Sequence, residues 1–343
     1  MSKQTIKEIA EKSGVSISTV SRVMNNPEQV SDELRQKVQS VIEEVGFTPN
    51  SLARSLKLKQ THTIGVIIVD LQVPFFAAMV QHLEISLREQ GYLMLVAAHH
   101  DDPNLEKKCL ETMMEMQVDG IIITATNQND KLLDHIWKSG MPLIMLDRRC
   151  ANPAIPAVHT DKRKGFYQLM EHLYQLGHRE FALVTGDKKI VSNHDRFLGV
   201  VDFLYDNDIP LQALHCYYGS FTEQYGYQIA EKVFTKKQSV TAILTGSSAI
   251  AAGVYHYCNK HHIDIPRDVS ITSLGNFEHP DLIQPALTYI DDMRDELGKL
   301  TADILQKMLI SKDRKKETYQ SMMLEAEIII GESTAAMRLD REG

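Results

Sequence analysis

The chain has 343 residues, of which 43% are hydrophobic and 24% charged, and its formal net charge is −8. This length exceeds one small domain and predicts two or three domains. The sequence contains no run of about 18 apolar residues, which excludes a transmembrane helix, and its N-terminus lacks the apolar core of a secretory signal. The four cysteines form no Cys-x-x-Cys motif. We therefore expect a cytoplasmic protein with reduced thiols and no membrane partner.

The charge is unevenly distributed along the chain. Residues 1–60 contain nine Lys/Arg and seven Asp/Glu, a net of +2, which leaves 28 basic and 38 acidic residues, a net of −10, in the remainder. An acidic body would repel DNA, whereas the N-terminal segment would be tolerated near it.

Three short helices are predicted within the first 46 residues. Thr5-Ile6-Lys7-Glu8 is a capping box, so the first helix should begin at Ile6. Gly14 provides a turn, Asn26-Pro27 ends a second helix, and a third should run from Ser31 to Gly46. Three such helices make a small domain of the size of a DNA-reading headpiece.

The second helix, within residues 14–23, has an unusually polar outer face. Val15, Val20 and Val23 recur at helical spacing on one side. The other side carries hydroxyls and a guanidinium, at Ser16, Ser18, Ser21 and Arg22. A short helix that is polar outward and follows a glycine-containing turn predicts a helix-turn-helix.

The segment after the headpiece has two interpretations. Asn50 is placed to cap a helix of about nine residues, shorter than the roughly 12–15 at which isolated helices become marginal in water. Leu52 and Leu56, with Arg54 and Lys57, fit a helix that presents apolar wedges and positive charge to a minor groove. The alternative is a flexible linker that happens to contain leucines.

From residue 64 onward, apolar runs alternate with helical patterns. The runs are 64–69, 93–97, 120–124, 143–146, 181–184, 242–244 and 269–272, and the helical patterns include 76–90, 105–116, 164–176, 194–206 and 248–260. Strands that are apolar on both faces and separated by helices predict parallel sheets covered on both sides. Seven such units are too many for one sheet, so we predict an α/β body of two similar lobes facing one another across a cleft, divided near the prolines of 152–156.

The predicted domains follow from this pattern. The apolar run 287–290 and the helical pattern 293–310 come late enough in the chain to return to the first lobe. We assign 1–48 to the headpiece, 49–60 to a hinge, 61–160 plus 291–320 to the N-terminal lobe, and 161–290 plus 321–335 to the C-terminal lobe.

Polar groups collect where the predicted strands end, which is where open parallel sheets bind ligands. These segments, 70–76, 98–101, 124–127, 147–149, 185–187, 245–247 and 274–276, carry carboxylates, guanidiniums, amides, hydroxyls and the pair Phe75-Phe76. Such groups suit a polyhydroxylated ligand stacked on an aromatic face. Taken singly they have plainer interpretations, such as a solvated ion pair for Asp147 and Arg148.

The sequence contains no catalytic or cofactor-binding motif. Gly-x-Ser-x-Gly, the phosphate-binding loop, His-Glu-x-x-His and the dinucleotide fingerprint are all absent. Ser192, His194 and Asp195 are neighbours in sequence, which does not make a catalytic triad. The adjacent histidine pairs are poorly spaced for chelation. We expect no enzymatic activity, no cofactor and no metal site.

The motifs closely resemble the lactose/galactose repressor (LacI/GalR) family of transcription factors. The resemblance covers nearly the whole chain: Thr5-Ile6-Lys7-Glu8-Ile9-Ala10, Gly14-Val15-Ser16, Thr19-Val20-Ser21-Arg22-Val23-Met24-Asn25, and the segments 30–31, 46–50, 52–56, 64–66, 74–76, 118–121, 146–148, 176–179, 266–270 and 285–288. It implies a body like a periplasmic sugar-binding protein, a homodimer and a palindromic operator DNA.

The resemblance also implies which residues contact DNA. Ile17, Ser18 and Arg22 match the positions that reach base edges, with Arg22 bidentate to guanine, while Thr5, Ser16 and Ser21 would hold phosphates. Leu56 matches the minor-groove wedge. The predicted DNA-binding set is Thr5, Ser16, Ile17, Ser18, Ser21, Arg22, Asn50, Ala53, Leu56 and Lys57.

For the cleft, the resemblance implies a sugar, sugar phosphate or sugar acid as effector. The predicted effector-binding set is Phe75, Phe76, Thr124, Asp147, Arg148, Asn193, Arg196, Phe221, Ser247, Gly275 and Asn276. One position departs from the family pattern, because ungapped spacing to Pro285 puts Gly275 where an acceptor aspartate is common. Either Asn276 takes over that role, or the ligand does not need the carboxylate.

Three functions fit these observations. The first is a sugar-responsive transcriptional regulator of carbohydrate metabolism genes, a repressor rather than an activator. The second is a cytosolic sugar-binding or sugar-processing protein whose N-terminal helices serve assembly. The third is a regulator that requires a protein co-repressor instead of a sugar.

Overall fold

The computed structural model describes residues 5–46, 60–235, 239–311 and 319–337. The chain divides into two compact units, residues 1–61 and residues 62–343. The predicted DNA contacts Asn50, Ala53, Leu56 and Lys57 lie outside the described residues, as does nearly all of the predicted hinge.

The first unit is a three-helix headpiece with α1 (Ile6–Ser13), α2 (Ile17–Asn25) and α3 (Asp32–Val45). The predicted helix starts are confirmed, and Thr5 and Glu8 form the reciprocal capping box. Gly14 and Gly46 end α1 and α3 in the left-handed conformation that glycine adopts without strain. The small core consists of Ile9, Ala10, Val20, Val23 and Val38.

The second unit alternates strands and helices. In chain order it contains β1 (Thr63–Ile68), α4 (Pro74–Glu89), β2 (Leu93–Ala98), α5 (Pro103–Glu115), β3 (Gly120–Ile123), α6 (Asp130–Ser139), β4 (Leu143–Leu146), β5 (Ala157–Thr160), α7 (Lys162–Gln175), β6 (Phe181–Thr185), α8 (Val191–Asp206), β7 (Leu214–Tyr218), α9 (Glu223–Thr235), β8 (Ala242–Thr245), α10 (Ser248–Lys260), β9 (Ser270–Leu274), β10 (Thr288–Ile290), α11 (Arg294–Ile310), β11 (Met322–Leu324) and β12 (Ile328–Ile329).

Over the described residues these strands form two sheets of six. The first has the order β11-β5-β4-β3-β1-β2 and the second β12-β10-β9-β8-β6-β7. All the strand pairs of the first sheet are parallel, and in the second β12 runs antiparallel to β10. The predicted pair of α/β lobes with covered parallel sheets is confirmed.

Each sheet is covered on both faces, because alternate residues of a strand point to opposite sides. In β1, Ile64 and Val66 join the core under α4 and α11, whereas Ile67 joins the core under α5 and α6. In the second lobe α7 and α8 cover one face, and α9 and α10 cover the other.

The chain crosses between the lobes after β5, after β10 and after β11. Two expectations differ from the structure. The run 287–290 forms β10 of the second sheet instead of returning to the first lobe, and β11 places residues 322–324 in the first sheet although 321–335 was assigned to the C-terminal lobe. The sequence pattern missed β5 and β7 because a histidine interrupts the apolar run of each, and it missed β11 because that strand has only three residues.

Candidate functional site

The outer face of α2 is exposed and polar, as the sequence predicts. Ile17 has 48% of its surface exposed, and Ser16, Ser18 and Arg22 are also exposed. Val20 on the opposite side is fully buried. α2 therefore exposes a guanidinium, hydroxyls and one apolar side chain on the surface of the headpiece. Groups of these types read base edges in a major groove.

The predicted phosphate-binding hydroxyls also cap helices. Thr5 Oγ1 accepts the Glu8 N–H at 3.4 Å, and Ser16 Oγ accepts the Thr19 N–H at 3.1 Å. A hydroxyl can accept two hydrogen bonds and donate one, so a hydroxyl that caps a helix uses one acceptor site and can still donate its proton. Ser16 Oγ also lies 2.7 Å from Ser18 Oγ. Ser16 Oγ lies 2.8 Å from Thr19 Oγ1 as well, so local hydrogen bonds fix the position of this hydroxyl.

A cavity of about 670 Å³ lies at the carboxyl ends of the strands, with walls from both lobes. Its volume is typical of a site for a small organic molecule. Eight of the predicted effector residues belong to its described lining: Phe75, Phe76, Asp147, Arg148, Asn193, Arg196, Phe221 and Ser247.

The apolar part of the lining is aromatic. The rings of Phe75 and Phe76 meet edge to face with centroids 5.1 Å apart. On the second lobe the Phe221 ring lies beneath the Arg196 guanidinium, whose central carbon is 5.3 Å from the ring centroid. Gly186 permits this close packing, because a Cβ there would lie 2.6 Å from the Phe221 ring. Aromatic faces of this kind suit the C–H faces of a sugar ring.

Asp147 and Lys162 form a buried ion pair across the two lobes. The Lys162 Nζ donates to Asp147 Oδ1 at 2.7 Å, and both side chains are at most 6% exposed. Asp147 adopts a left-handed φ of 64°, a conformation sparsely populated outside glycine and associated with functional sites. Burial alone would raise the pKa of Asp147, but the charge and hydrogen bond of Lys162 hold it below its ordinary value.

Arg148 is held by a network beneath the cavity. Its Nη1 donates to Asp101 Oδ1 at 2.5 Å and to the Ala125 carbonyl at 3.1 Å. His99 positions Asp101, since its Nδ1 accepts the Asp101 N–H at 3.1 Å while its Nε2 lies 2.7 Å from the Thr124 carbonyl. Burial lowers the pKa of His99. A neutral His99 with its proton on Nε2 satisfies both bonds.

Three predicted effector residues do not belong to the described lining: Thr124, Gly275 and Asn276. Thr124 is fully buried under the cavity. The Asn276 Oδ1 accepts the Phe277 N–H at 2.8 Å, which turns that side chain towards its own backbone. The proposal that Asn276 replaces the usual aspartate is therefore not supported by its position.

Asp292 supplies a carboxylate at the place where the family pattern expects one on residue 275. Gly275 has a φ of 76°, and a Cβ built there would lie 2.6 Å from Asp292 Oδ2. Asp292 lines the cavity and is held by two hydrogen bonds from Arg294, at 2.9 and 2.8 Å. Arg294 also binds Glu278 across the lobes at 2.8 Å. Glycine at 275 thus makes room for a carboxylate that arrives from the end of another strand.

The sequence indicated Asp101 only as part of the segment 98–101, and it gave no indication of Lys162 and Asp292, which follow β5 and β10. Inspecting the residues that follow 157–160 and 288–290 would have found Lys162 and Asp292.

Two negative observations apply to the part of the chain that the structure describes. No cluster of three or more His, Cys, Asp or Glu side chains in residues 5–46, 60–235, 239–311 and 319–337 has a geometry that could hold a metal ion. Among the same residues, none of the helices is both long enough and apolar enough to cross a bilayer.

Comparison with known proteins places this architecture in one family. The family of periplasmic binding proteins and sugar binding domain of the LacI family matches residues 61–326, and the lacI family of bacterial regulatory proteins matches residues 5–50. The HTH-type transcriptional repressor PurR of Mannheimia succiniciproducens is 26% identical over 96% of this chain and 98% of its own length.

Solved structures agree with this placement. A LacI family transcriptional regulator from Enterococcus faecium with bound ribose is 28% identical, covers 80% of this chain and 100% of its own, and superposes with a TM-score of 0.73. The lac repressor dimer bound to operator and the anti-inducer ONPF shares the fold, with a TM-score of 0.84 at 24% identity over 98% of this chain and 100% of its own. The first family match alone spans well over half of the sequence, and the chain belongs to the LacI family of bacterial regulatory proteins.

Proposed function

We propose that this protein is a transcriptional repressor whose affinity for operator DNA is controlled by a small sugar or sugar derivative in the interlobe cavity. The observation that carries the proposal is that cavity, in which Asp147, Arg148 and Arg196 stand beside the Phe75, Phe76 and Phe221 rings. The same chain carries a headpiece with an exposed polar recognition face. A bacterial protein that acts on DNA would work in the cytoplasm, which is the location that we propose.

Contacts with DNA are assigned to α2. Arg22 would donate two hydrogen bonds to a guanine, Ser18 would assist, and Ile17 would make apolar contact, for example with a thymine methyl. Thr5, Ser16 and Ser21 would contact phosphates and fix the register of the helix. The segment with Asn50, Ala53, Leu56 and Lys57 would enter the minor groove near the operator centre.

A homodimer on a palindromic operator fits the body as well as the headpiece. β2 is an edge strand of the first sheet, and Leu93, Leu95 and Val96 on it are 74%, 37% and 36% exposed. An exposed apolar edge strand is a surface that a second copy would cover. Two-fold symmetry of the protein would then match two-fold symmetry of the operator.

Control by a ligand requires the two lobes to close differently around an empty and a filled cavity. Contacts across the lobes are present at the mouth: Arg149 Nη2 lies 2.7 Å from Asp195 Oδ2, and Asn127 Oδ1 accepts the Val191 N–H at 3.2 Å. A ligand that bridges the lobes would add to these contacts. The change would reach DNA through the hinge at residues 49–60.

A titration of fluorescently labelled DNA from the chain's own upstream region tests the proposal. We expect tight binding that weakens steeply with added salt, because phosphate contacts release counterions. Random DNA of the same length is the control. Binding that is absent, or that does not respond to salt, would refute a repressor function, and turnover of a sugar by the purified chain would replace it with an enzymatic one.

A further inference from the structure

The helix α8, which contributes Asn193 and Arg196 to the cavity wall, begins without a capping side chain of its own. The first N–H groups of a helix have no partner within the helix, and a polar side chain at the N-cap usually accepts from one of them. In α8 the N-cap residue is Ile190, whose side chain cannot accept a hydrogen bond, and the first turn contains no acidic residue. The N-terminus of α8 therefore depends on another part of the chain for its partners.

Asn127 supplies such a partner from the opposite lobe. It follows β3 of the first sheet, and its Oδ1 accepts the Val191 N–H at the start of α8 at 3.2 Å. Its Nδ2 donates to the Arg149 carbonyl at 2.5 Å, so both ends of the side-chain amide are bonded. The chain crosses between the lobes after β5, β10 and β11, and the contact between Asn127 and α8 lies outside all three connections.

The backbone of Asn127 is specialised for this position. Its φ is 61°, in the left-handed region that glycine adopts without strain and asparagine adopts more readily than most residues. Glycine would suit this backbone, but it would supply neither the acceptor for Val191 nor the donor for Arg149. The side chain of Asn127 therefore has a role beyond the turn in which it lies.

Glu106 anchors the loop that holds Asn127. It lies on α5, and none of its surface is exposed. Its Oε2 accepts the Thr126 N–H at 2.5 Å, while its Oε1 accepts the Thr126 hydroxyl at 3.1 Å and the Asn129 side-chain amide at 2.8 Å. Burial of a carboxylate is costly unless hydrogen bonds compensate it. These bonds do so, and they fix the loop on both sides of Asn127.

A second contact joins the same loop region to α8. Arg149 Nη2 lies 2.7 Å from Asp195 Oδ2, and the Arg149 side chain is 45% exposed. Water and salt screen a pair of this exposure, so it contributes less than a buried one. Because Asn127 donates to the Arg149 carbonyl, the two contacts with α8 share a residue.

We propose that Asn127 is a positioning residue that caps α8 across the cleft, so that closing the lobes also completes the N-terminus of the helix that carries Asn193 and Arg196. Opening of the cleft would leave the Val191 N–H without this acceptor, which couples the order of α8 to closure. The inference rests on the proposed function in one respect, because it takes the cavity to be the effector site. It adds residues that do not belong to the described lining of the cavity, namely Asn127, Arg149, Asp195 and Glu106.

Hydrogen exchange of the full chain, measured by mass spectrometry, tests the cap with Asn127→Gly. This variant keeps the left-handed backbone and removes only the side chain. The first turn of α8 should exchange about fivefold faster, the factor that corresponds to loss of a typical cap. The internal control is α7, whose own Asp161 accepts the Lys164 N–H at 3.0 Å, and its first turn should be unchanged. Unchanged exchange in α8, or an equal change in both helices, would overturn the inference.

Glu106→Gln tests whether the effect passes through the loop of the first lobe. An amide nitrogen in place of Oε2 would face the Thr126 N–H, donor against donor, and would loosen the loop. The first turn of α8 should then exchange faster, and the same substitution in the Asn127→Gly background should add nothing. Exchange in α8 that does not respond to Glu106→Gln would contradict the anchoring role. If the variant melts at a lower temperature, exchange is measured below that temperature.

Charge reversal tests the second contact without a buried substitution. Arg149→Asp places two carboxylates together and should speed exchange in the first turn of α8, whereas Arg149→Asp with Asp195→Arg should restore the natural rate. Arg163→Asp is the matched control, because Arg163 Nη2 donates to Asp202 of α8 at 2.9 Å from within the second lobe, and it should leave that turn unchanged. Failure of the reversed pair to restore the rate would exclude a link between the lobes through Arg149.

Failure of this inference can be distinguished from failure of the proposed function, because the exchange measurements require neither DNA nor an effector. If DNA binding is salt-dependent but exchange in α8 ignores Asn127→Gly, the cap is wrong and the repressor function stands. If the chain does not bind its upstream DNA, the repressor function is wrong, and exchange in α8 still decides the cap.

Discussion

Replacement of Gly275 by alanine should destabilise the body of the protein more than the same replacement at a glycine where the added Cβ would meet no neighbouring atom. The φ of 76° at this position costs an L-residue about 1–2 kcal/mol. The added Cβ would also lie 2.6 Å from Asp292 Oδ2, and Asp292 cannot move freely because Arg294 holds both of its oxygens. Overpacking of this kind typically costs about 1–3 kcal/mol.

Together these effects predict a loss of roughly 2–5 kcal/mol in the free energy of unfolding, or a fall of about 5–15 °C in melting temperature. Gly91→Ala is the matched control, because Gly91 has a φ of 82° but no atom within 4 Å of the added Cβ. It should cost about 1–2 kcal/mol. Urea denaturation followed by circular dichroism measures both.

The decisive comparison is the alanine replacement at 275 in an Asp292→Ala background. Removal of the carboxylate removes the obstruction, so Gly275→Ala should then cost no more than Gly91→Ala. Equal costs for the two glycine variants in the natural background would refute the claim that Asp292 occupies the space of a side chain at 275. For the same reason Gly275→Asp should destabilise the protein instead of supplying the family's usual acceptor.

Three further predictions concern DNA, pH and assembly. Arg22→Ala should lose about 1–3 kcal/mol of operator affinity and relax the base preference at one position in each half-site; equal loss on every sequence, measured by DNA titration, would show that Arg22 contacts phosphate only. Burial lowers the pKa of His178 below 6.5, so as the pH falls this side chain is protonated in the unfolded chain before it is protonated in the folded one, and the free energy of unfolding should decrease below about pH 6.5. His178→Gln should flatten this pH dependence in urea denaturation, by at most about 1.4 kcal/mol per pH unit. An unchanged slope would contradict the lowered pKa of His178. Leu93→Asp should weaken dimerisation at least about tenfold in analytical ultracentrifugation, whereas Tyr205→Asp, at a side chain 82% exposed on the second lobe, should leave it unchanged; a dimer insensitive to Leu93→Asp would place the interface elsewhere.

Local sequence determined the headpiece almost completely. The capping box of Thr5 and Glu8, the turn at Gly14 and the buried positions Val20 and Val23 each act within a few residues. Hydrogen bonds and hydrophobic contacts of that range depend on spacing in the chain, which the sequence displays directly. The longer strands and helices of the two lobes were predictable on the same grounds.

Only the tertiary structure decided how the charges of the cavity are paired. Asp147 and Lys162 are 15 residues apart and belong to different lobes, and the side-chain space at Gly275 is filled by Asp292 from the end of another strand. Such pairs leave no periodic signal, because they depend on which strand ends meet at one edge of a sheet. The sequence by itself indicated aromatic and charged side chains at the strand ends, while only the fold showed that Lys162 is the partner of Asp147 and that Gly275 leaves room for Asp292.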